Sequence, residues 1–144
     1  MPTSSFTKFQ DFAEQLGKKQ HDLNGDTLKV FLSNAAPNAA THTAYDGTTG
    51  TTGPAEIANG NGYTTGGEDT QNTYSESGGT GSCVGTDVVW TASGAVGPFR
   101  YVVLYNDTST GNYLIGWWDY GSGVTLASGD TFTTDFGSSM FTIT

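Results

Sequence analysis

The sequence predicts a mainly β fold, a sandwich or jelly roll with a short N-terminal amphipathic helix and long Gly/Thr-rich arms or loops. Three observations lead there. The 144 residues include 21 Gly, 12% aromatic and 13% charged side chains, a profile of many turns and a few large core residues rather than of helices or disorder. The last third alternates apolar and polar residues in short runs separated by turn signals. A single helical stripe opens the chain. A chain of this length buries roughly two-thirds of its unfolded surface. We read it as one domain, with helix and turn over 1–24 and a β-rich body over 25–144 that contains an extended loop at 34–87.

The elements follow in order. "SSFTKFQDFAEQLG" offers Ser4 or Ser5 as N-cap and Gly17 as the stop, with Phe6, Phe9, Phe12, Ala13 and Leu16 on one stripe and Lys8, Asp11, Glu14 and Gln15 opposite. At about twelve residues this helix cannot stand alone in water, so its phenylalanines must dock on something. "TLKVFLSN" sets Leu28, Val30 and Leu32 against Lys29, Phe31 and Ser33, a strand with one core face. Residues 34–87 show almost no period and read as extended arms and short strands, ordered partly by neighbours.

"DVVWTAS", "FRYVVLYN", "NYLIGWWDYG", "GVTLAS", "DTFTTDF" and "MFTIT" are strands, the second and third joined as a hairpin around Asn106–Asn112. With "TLKVFLSN" they make about seven. "NYLIGWWDYG" is greasy on both sides: alternation sends Tyr113, Ile115 and Trp117 one way, and Leu114, Trp118 and Tyr120 the other. A sandwich core covers one face. The N-terminal helix or another subunit must cover the second.

Charge and motifs exclude several functions. Residues 1–29 hold all four Lys against four acids, whereas residues 30–144 hold ten acids against Arg100 alone. So acidic a body repels phosphate, making nucleic acid and acidic membrane surfaces poor partners. No apolar run reaches the roughly 20 residues that span a bilayer, and no signal peptide opens the chain. A soluble protein made in a cytoplasm is expected. Cys83 is the lone cysteine, so no internal disulfide forms; a small buried hydrophobe is the expected role.

His21 and His42 read as surface residues, and no Ser lies in a nucleophile elbow. Asp22, Asn24 and Asp26 have the opening spacing of a calcium loop, but Thr27 and Ser33 stand where Gly and Glu are needed, so an Asx-capped turn is expected. Gly60, Gly62 and Gly66 miss the dinucleotide spacing by one and read as a turn. The expectation is no catalytic residue, no cofactor and no metal. Asp119 beside Trp117, Trp118 and Tyr120 is the acid that would suit glycan binding or hydrolysis. The aromatics are more simply core or interface.

Several stretches resemble small virion proteins of tailed bacteriophages. "FTKFQDFAEQLGKKQHDLNGDTLKVFLSNAAPNAATHTAY" looks like their opening, "EIANGNGYTTGG" follows, and "VGPFRYVVLYND" with "LIGWWDYGSGVTLASGDTFTTDF" is similar to their end. The resemblance implies a capsid decoration, or cement, protein: non-enzymatic, β-rich, often a homotrimer, and bound to the major capsid protein on the outside of an assembled shell. It brings no catalytic residues. Surplus aromatics suit such an adhesive role, with Phe6, Phe9, Phe12, Leu16, Tyr113, Trp117, Trp118 and Tyr120 as the expected contacts with the capsid or a second copy. The alternative reading is a tail or fibre component that binds host surface glycans, with Trp117 or Trp118 in a groove beside Asp119.

Overall fold

The computed structural model describes residues 4–144 and is mainly β, built from several antiparallel sheets and one short helix. In chain order the elements are β1 Thr7–Lys8, α1 Gln10–Gly17, β2 Leu28–Ser33, β3 Glu68–Asp69, β4 Thr73–Ser77, β5 Thr80–Val84, β6 Val88–Thr91, β7 Val96–Asn106, β8 Leu114–Leu126, β9 Thr131–Thr134 and β10 Phe141–Ile143. The largest sheet has the order β1-β8-β7-β2-β3. A second runs β10-β5-β4, and β6 pairs with β9. No helix among the described residues is long and apolar enough to cross a membrane.

The β7–β8 hairpin and β2 carry the core, as their periodicity predicts. β2 pairs with β7 along its whole length, from Leu28 opposite Asn106 to Ser33 opposite Tyr101. Leu28, Val30, Leu32, Val102 and Leu104 face a main cluster that also takes in Cys83, Trp90, Phe99, Phe132 and Phe141. Each such aliphatic side chain contributes about 1.5–3 kcal/mol by leaving water. The one-sided reading of β2 is corrected, however: Phe31 is fully buried too, on the opposite face, with Phe9, Val103, Tyr105 and Leu114. The sheet is covered on both sides.

β8 departs from simple alternation twice. Leu104 stands opposite Gly116 while Tyr105 stands opposite Leu114, so Ile115 is an extra residue. The bulge puts Leu114 and Trp117 on one face and Ile115 and Trp118 on the other, not the pairing that strict alternation gives. Farther on, Phe99 opposes Val124 and Tyr101 opposes Asp119. The intervening "YGSG" therefore bulges out within one long strand instead of turning between two.

The helix begins later than its stripe suggests. Ser4 to Phe9 lie outside it, and β1 pairs with β8, Thr7 opposite Trp117 and Lys8 opposite Gly116. Three residues apart in extended chain means opposite faces, so Phe6 packs on the main-cluster side and Phe9 against Trp117 on the other. Gly116 makes room for this edge: a Cβ there would meet the Phe6 ring at 2.2 Å and the Thr7 carbonyl oxygen at 2.6 Å. At the far end the left-handed residue is Lys19 (φ 64°) rather than Gly17. Lys19 N donates to Leu16 O and Gln20 N to Gln15 O, a Schellman closure.

Residues 34–67 pass from the Phe31 face, where Tyr45 packs, to the main cluster, which takes in Ile57 and Tyr63. They are held by hydrogen bonds among themselves and to β2 and the β7–β8 hairpin. Leu114 N donates to Thr43 O (3.0 Å) and Tyr45 N to Asn112 O (2.9 Å). The Asp46 carboxylate accepts from Gly50, Thr51 and Thr52 N–H groups, and Ser33 Oγ donates to Ala55 O at 2.7 Å. The Glu56 carboxylate, buried, accepts from Tyr45 Oη, Tyr63 Oη and Gly66 N, each at 2.7 Å. "NGNGY" closes as a two-residue hairpin turn, Asn61 and Gly62 both at positive φ and Gly60 exchanging hydrogen bonds with Tyr63. The remainder of the 34–87 run includes the β4–β5 hairpin, turned on Gly78 and Gly79.

Asp22 Oδ1 accepts from Asn24 and Gly25 N–H groups, the expected Asx-capped turn. His21 is not a surface residue: it is buried, with Nδ1 3.1 Å from Asn106 Nδ2. Asn106 Oδ1 accepts two backbone N–H groups, which fixes its amide nitrogen as the donor to His21. Burial lowers the His21 pKa against the opposing pull of Asp26 and Asp11. The unfolded chain therefore takes up a proton near pH 6.5 that the folded chain refuses, and stability falls as pH drops through that value toward the depressed folded one. Urea unfolding of wild type and His21→Gln between pH 7 and pH 5 is expected to show a shallower decline in the variant. Equal slopes would show that His21 does not set the pH dependence.

Candidate functional site

The apolar residues singled out in the sequence separate into four settings. Phe9 and Phe12 are core, at 0% and 3% exposure; Phe9 has no surface left to offer a partner, and Phe12 reaches the surface only as part of a groove lining. Trp117 is half-buried on the Phe31 side with its ring 4.6 Å from Phe9. Tyr113 is half-buried near the hairpin loop, edge-on to His21. Phe6, Leu16, Trp118 and Tyr120 are half-buried on the main-cluster side, and there they line two adjoining grooves that share Phe6.

The larger groove, about 560 Å³, has Val102, Phe132, Phe136 and Met140 as its buried floor. Phe6, Trp118 and Tyr120 form its walls, and Ser4, Thr133, Asp135 and Ser139 its polar lining. Pairing explains the assembly. β8 puts Trp118 opposite Val102, and the segment after β9 returns over that face to bring Phe136 to 5.4 Å from Trp118. Phe6 closes the other side of Trp118 at 5.2 Å, and Tyr120 meets Phe132 at 5.7 Å. These tilted contacts favour the rings by about 0.5–1.5 kcal/mol each beyond burial.

The smaller groove, about 480 Å³, runs between α1 and β10, with Phe6, Phe12, Ala13, Leu16, Phe141 and Ile143 as apolar lining and Lys8 at its rim. Among the described residues Lys8 and Lys19 have no acidic partner, whereas Lys18 pairs with Glu14, Lys29 with Asp107 and Arg100 with Asp119; of the two, Lys8 lines the groove.

Asp119 is not the acid of the Trp118 groove. It is opposite Tyr101 in the sheet, one residue out of phase with Trp118, and receives Arg100 Nε at 2.8 Å and Nη2 at 3.0 Å. The Arg100 hydrogen bond holds its carboxyl below the usual range. Asp135 supplies the groove's carboxylate instead, and nothing in "DTFTTDF" connects it to "IGWW". The available signal was the i, i+4 pair Phe132 and Phe136, one greasy side of a run otherwise made of Thr and Asp.

Cys83 is fully buried, and burial pushes its thiol up to about 12, which removes the reactive thiolate at neutral pH. No group of three His, Cys, Asp or Glu side chains among the described residues is arranged to hold a metal ion. The described residues thus present apolar grooves with sparse polar rims. No protein-family model, no curated protein and no solved structure matches the chain.

Proposed function

We propose that the chain is a non-enzymatic capsid decoration protein, a sandwich- or jelly-roll-like module on the exterior of a tailed-phage shell. It binds assembled major capsid protein, as a homotrimer in the arrangement that the sequence resemblance implies. The observation that supports this best is the apolar groove between α1 and β10. It leaves Phe6, Leu16 and Ile143 half-buried, and its rim carries Lys8, unpaired, on a chain whose net charge is -9. A decoration protein needs that kind of surface: apolar area to exclude water and a lone cation to orient the contact.

The mechanism is linkage. A protein that binds the assembled, expanded shell and not its precursors stabilises that state by RT ln(1 + [L]/Kd), about 2.7 kcal/mol per site at a hundredfold excess over Kd. The remaining acidic surface keeps particles apart. The test is titration of the purified protein onto decoration-free shells, followed by heating. Saturable binding and a raised shell melting temperature are expected, both lost in Leu16→Glu with its near-UV circular dichroism intact. Absence of saturable binding by the wild-type protein would sink the reading.

A further inference from the structure

We propose that the larger groove is a saccharide-binding site, with the Trp118 and Tyr120 rings as its stacking surface and Asp135 as its hydroxyl acceptor. The ligand class is a neutral oligosaccharide of hexopyranose units. The inference does not rest on the capsid reading, which concerns the α1–β10 groove, and each has its own variant.

Geometry argues first. Phe6, Trp118 and Phe136 lie in one contiguous row, with centroids 5.2 and 5.4 Å apart. Their planes are inclined by 60° and 46°, so the row is a stepped apolar wall, and the open face of a single ring, Trp118 or Tyr120, is what the C–H face of a pyranose would stack on. The groove volume, about 560 Å³, lies within the range of small-molecule sites.

Unused polar atoms argue second. Trp118 Nε1 and Tyr120 Oη make no hydrogen bond to the described residues, and neither is among the buried orphans, which are Asp11 Oδ2, His21 Nε2 and Trp90 Nε1. Both are donors on the groove wall that no other described residue engages. Asp135 uses Oδ1 to accept the Gly137 N–H at 2.9 Å, which orients the carboxylate and leaves Oδ2 for a ligand. Thr133 and Ser139 add hydroxyls. Apolar walls with a few convergent donors and acceptors are what a polyol with one apolar face requires.

Charge argues third. No Lys or Arg lines this groove and its ionised side chain is a carboxylate. Phosphorylated, sulfated or uronic sugars are disfavoured by that sign.

The test is titration of the intact protein with maltohexaose, cellohexaose and chitohexaose, followed by amide and indole NMR shifts, with hexagalacturonate and choline as contrasting probes. Saturable shifts centred on the Trp118 indole with at least one neutral hexaose are expected. Trp118→Ala should weaken binding about tenfold or more, and Asp135→Asn, a change at an exposed rim that leaves the floor intact, several-fold. Trp117→Phe, on the opposite face, should leave affinity unchanged. Lack of saturable shifts with every neutral hexaose would overturn the proposal. So would binding that survives both Trp118→Ala and Asp135→Asn, or a preference for hexagalacturonate or choline.

Discussion

Glu56→Ala is expected to destabilise the protein by about 3–5 kcal/mol, read as a lowered urea midpoint. The carboxylate accepts from Tyr45 Oη, Tyr63 Oη and Gly66 N, and Ala supplies no acceptor to any of them. Each buried donor left without a partner costs about 1–3 kcal/mol. Tyr63 is almost fully buried, whereas Tyr45 is partly open and regains water, which sets the total below the simple maximum. A close backbone approach at the same place compounds the effect. Gly67 sits at φ +74° with its Cα so close to Val30 that a Cβ would come within 1.9 Å of the carbonyl oxygen. The segment must be held tightly to keep that approach. Glu56→Gln retains one acceptor oxygen and should lose less than Glu56→Ala. A loss below about 1 kcal/mol for Glu56→Ala would mean that the carboxylate does not anchor residues 34–67.

Phe9→Ala is expected to cost a further class of stability, about 3–5 kcal/mol, the usual range for a fully buried Phe. Phe9 is 0% exposed, its ring packs on Trp117 at 4.6 Å, and its N–H donates to Ile115 O at 3.1 Å. Loss of the ring removes the anchor that joins β1 to the helix, so the N-terminal edge of the large sheet should also become protease-sensitive. Leu16→Glu, at a half-buried groove position, should keep near-native stability. Should Phe9→Ala fold with native stability and lose shell binding instead, Phe9 would be a contact residue, and its packing against Trp117 would be dispensable.

How much of this was legible depends on whether a signal is local. β2, β7, β9 and β10 follow from alternation, and the Asn106–Asn112 hairpin follows from its turn residues. The β4–β5 hairpin was legible as well, since Gly78-Gly79 between two Thr/Ser-rich runs is a two-residue turn signal. Its strands are polar and carry no apolar alternation to mark them: four of the five β4 residues are exposed. Phe6, Phe9 and Phe12 fit a helical stripe by spacing. Their separation of three equally fits opposite faces of extended chain, and pairing with β8 selected the second for Phe6 and Phe9. Ser and Thr, weak helix formers, offered little resistance.

By itself the sequence determined a mainly β chain, its central strands, its turns and the sign of its charge, because periodicity, glycine and ionisable groups act over a few residues. Only the tertiary structure decided which aromatics are core and which are wall. That outcome depends on the Ile115 bulge, on the partner strand opposite each ring, and on the return of residues 132–140 over Trp118. Burial is settled by what arrives from distant parts of the chain, and a one-residue change of register moves a tryptophan from one face of the sheet to the other.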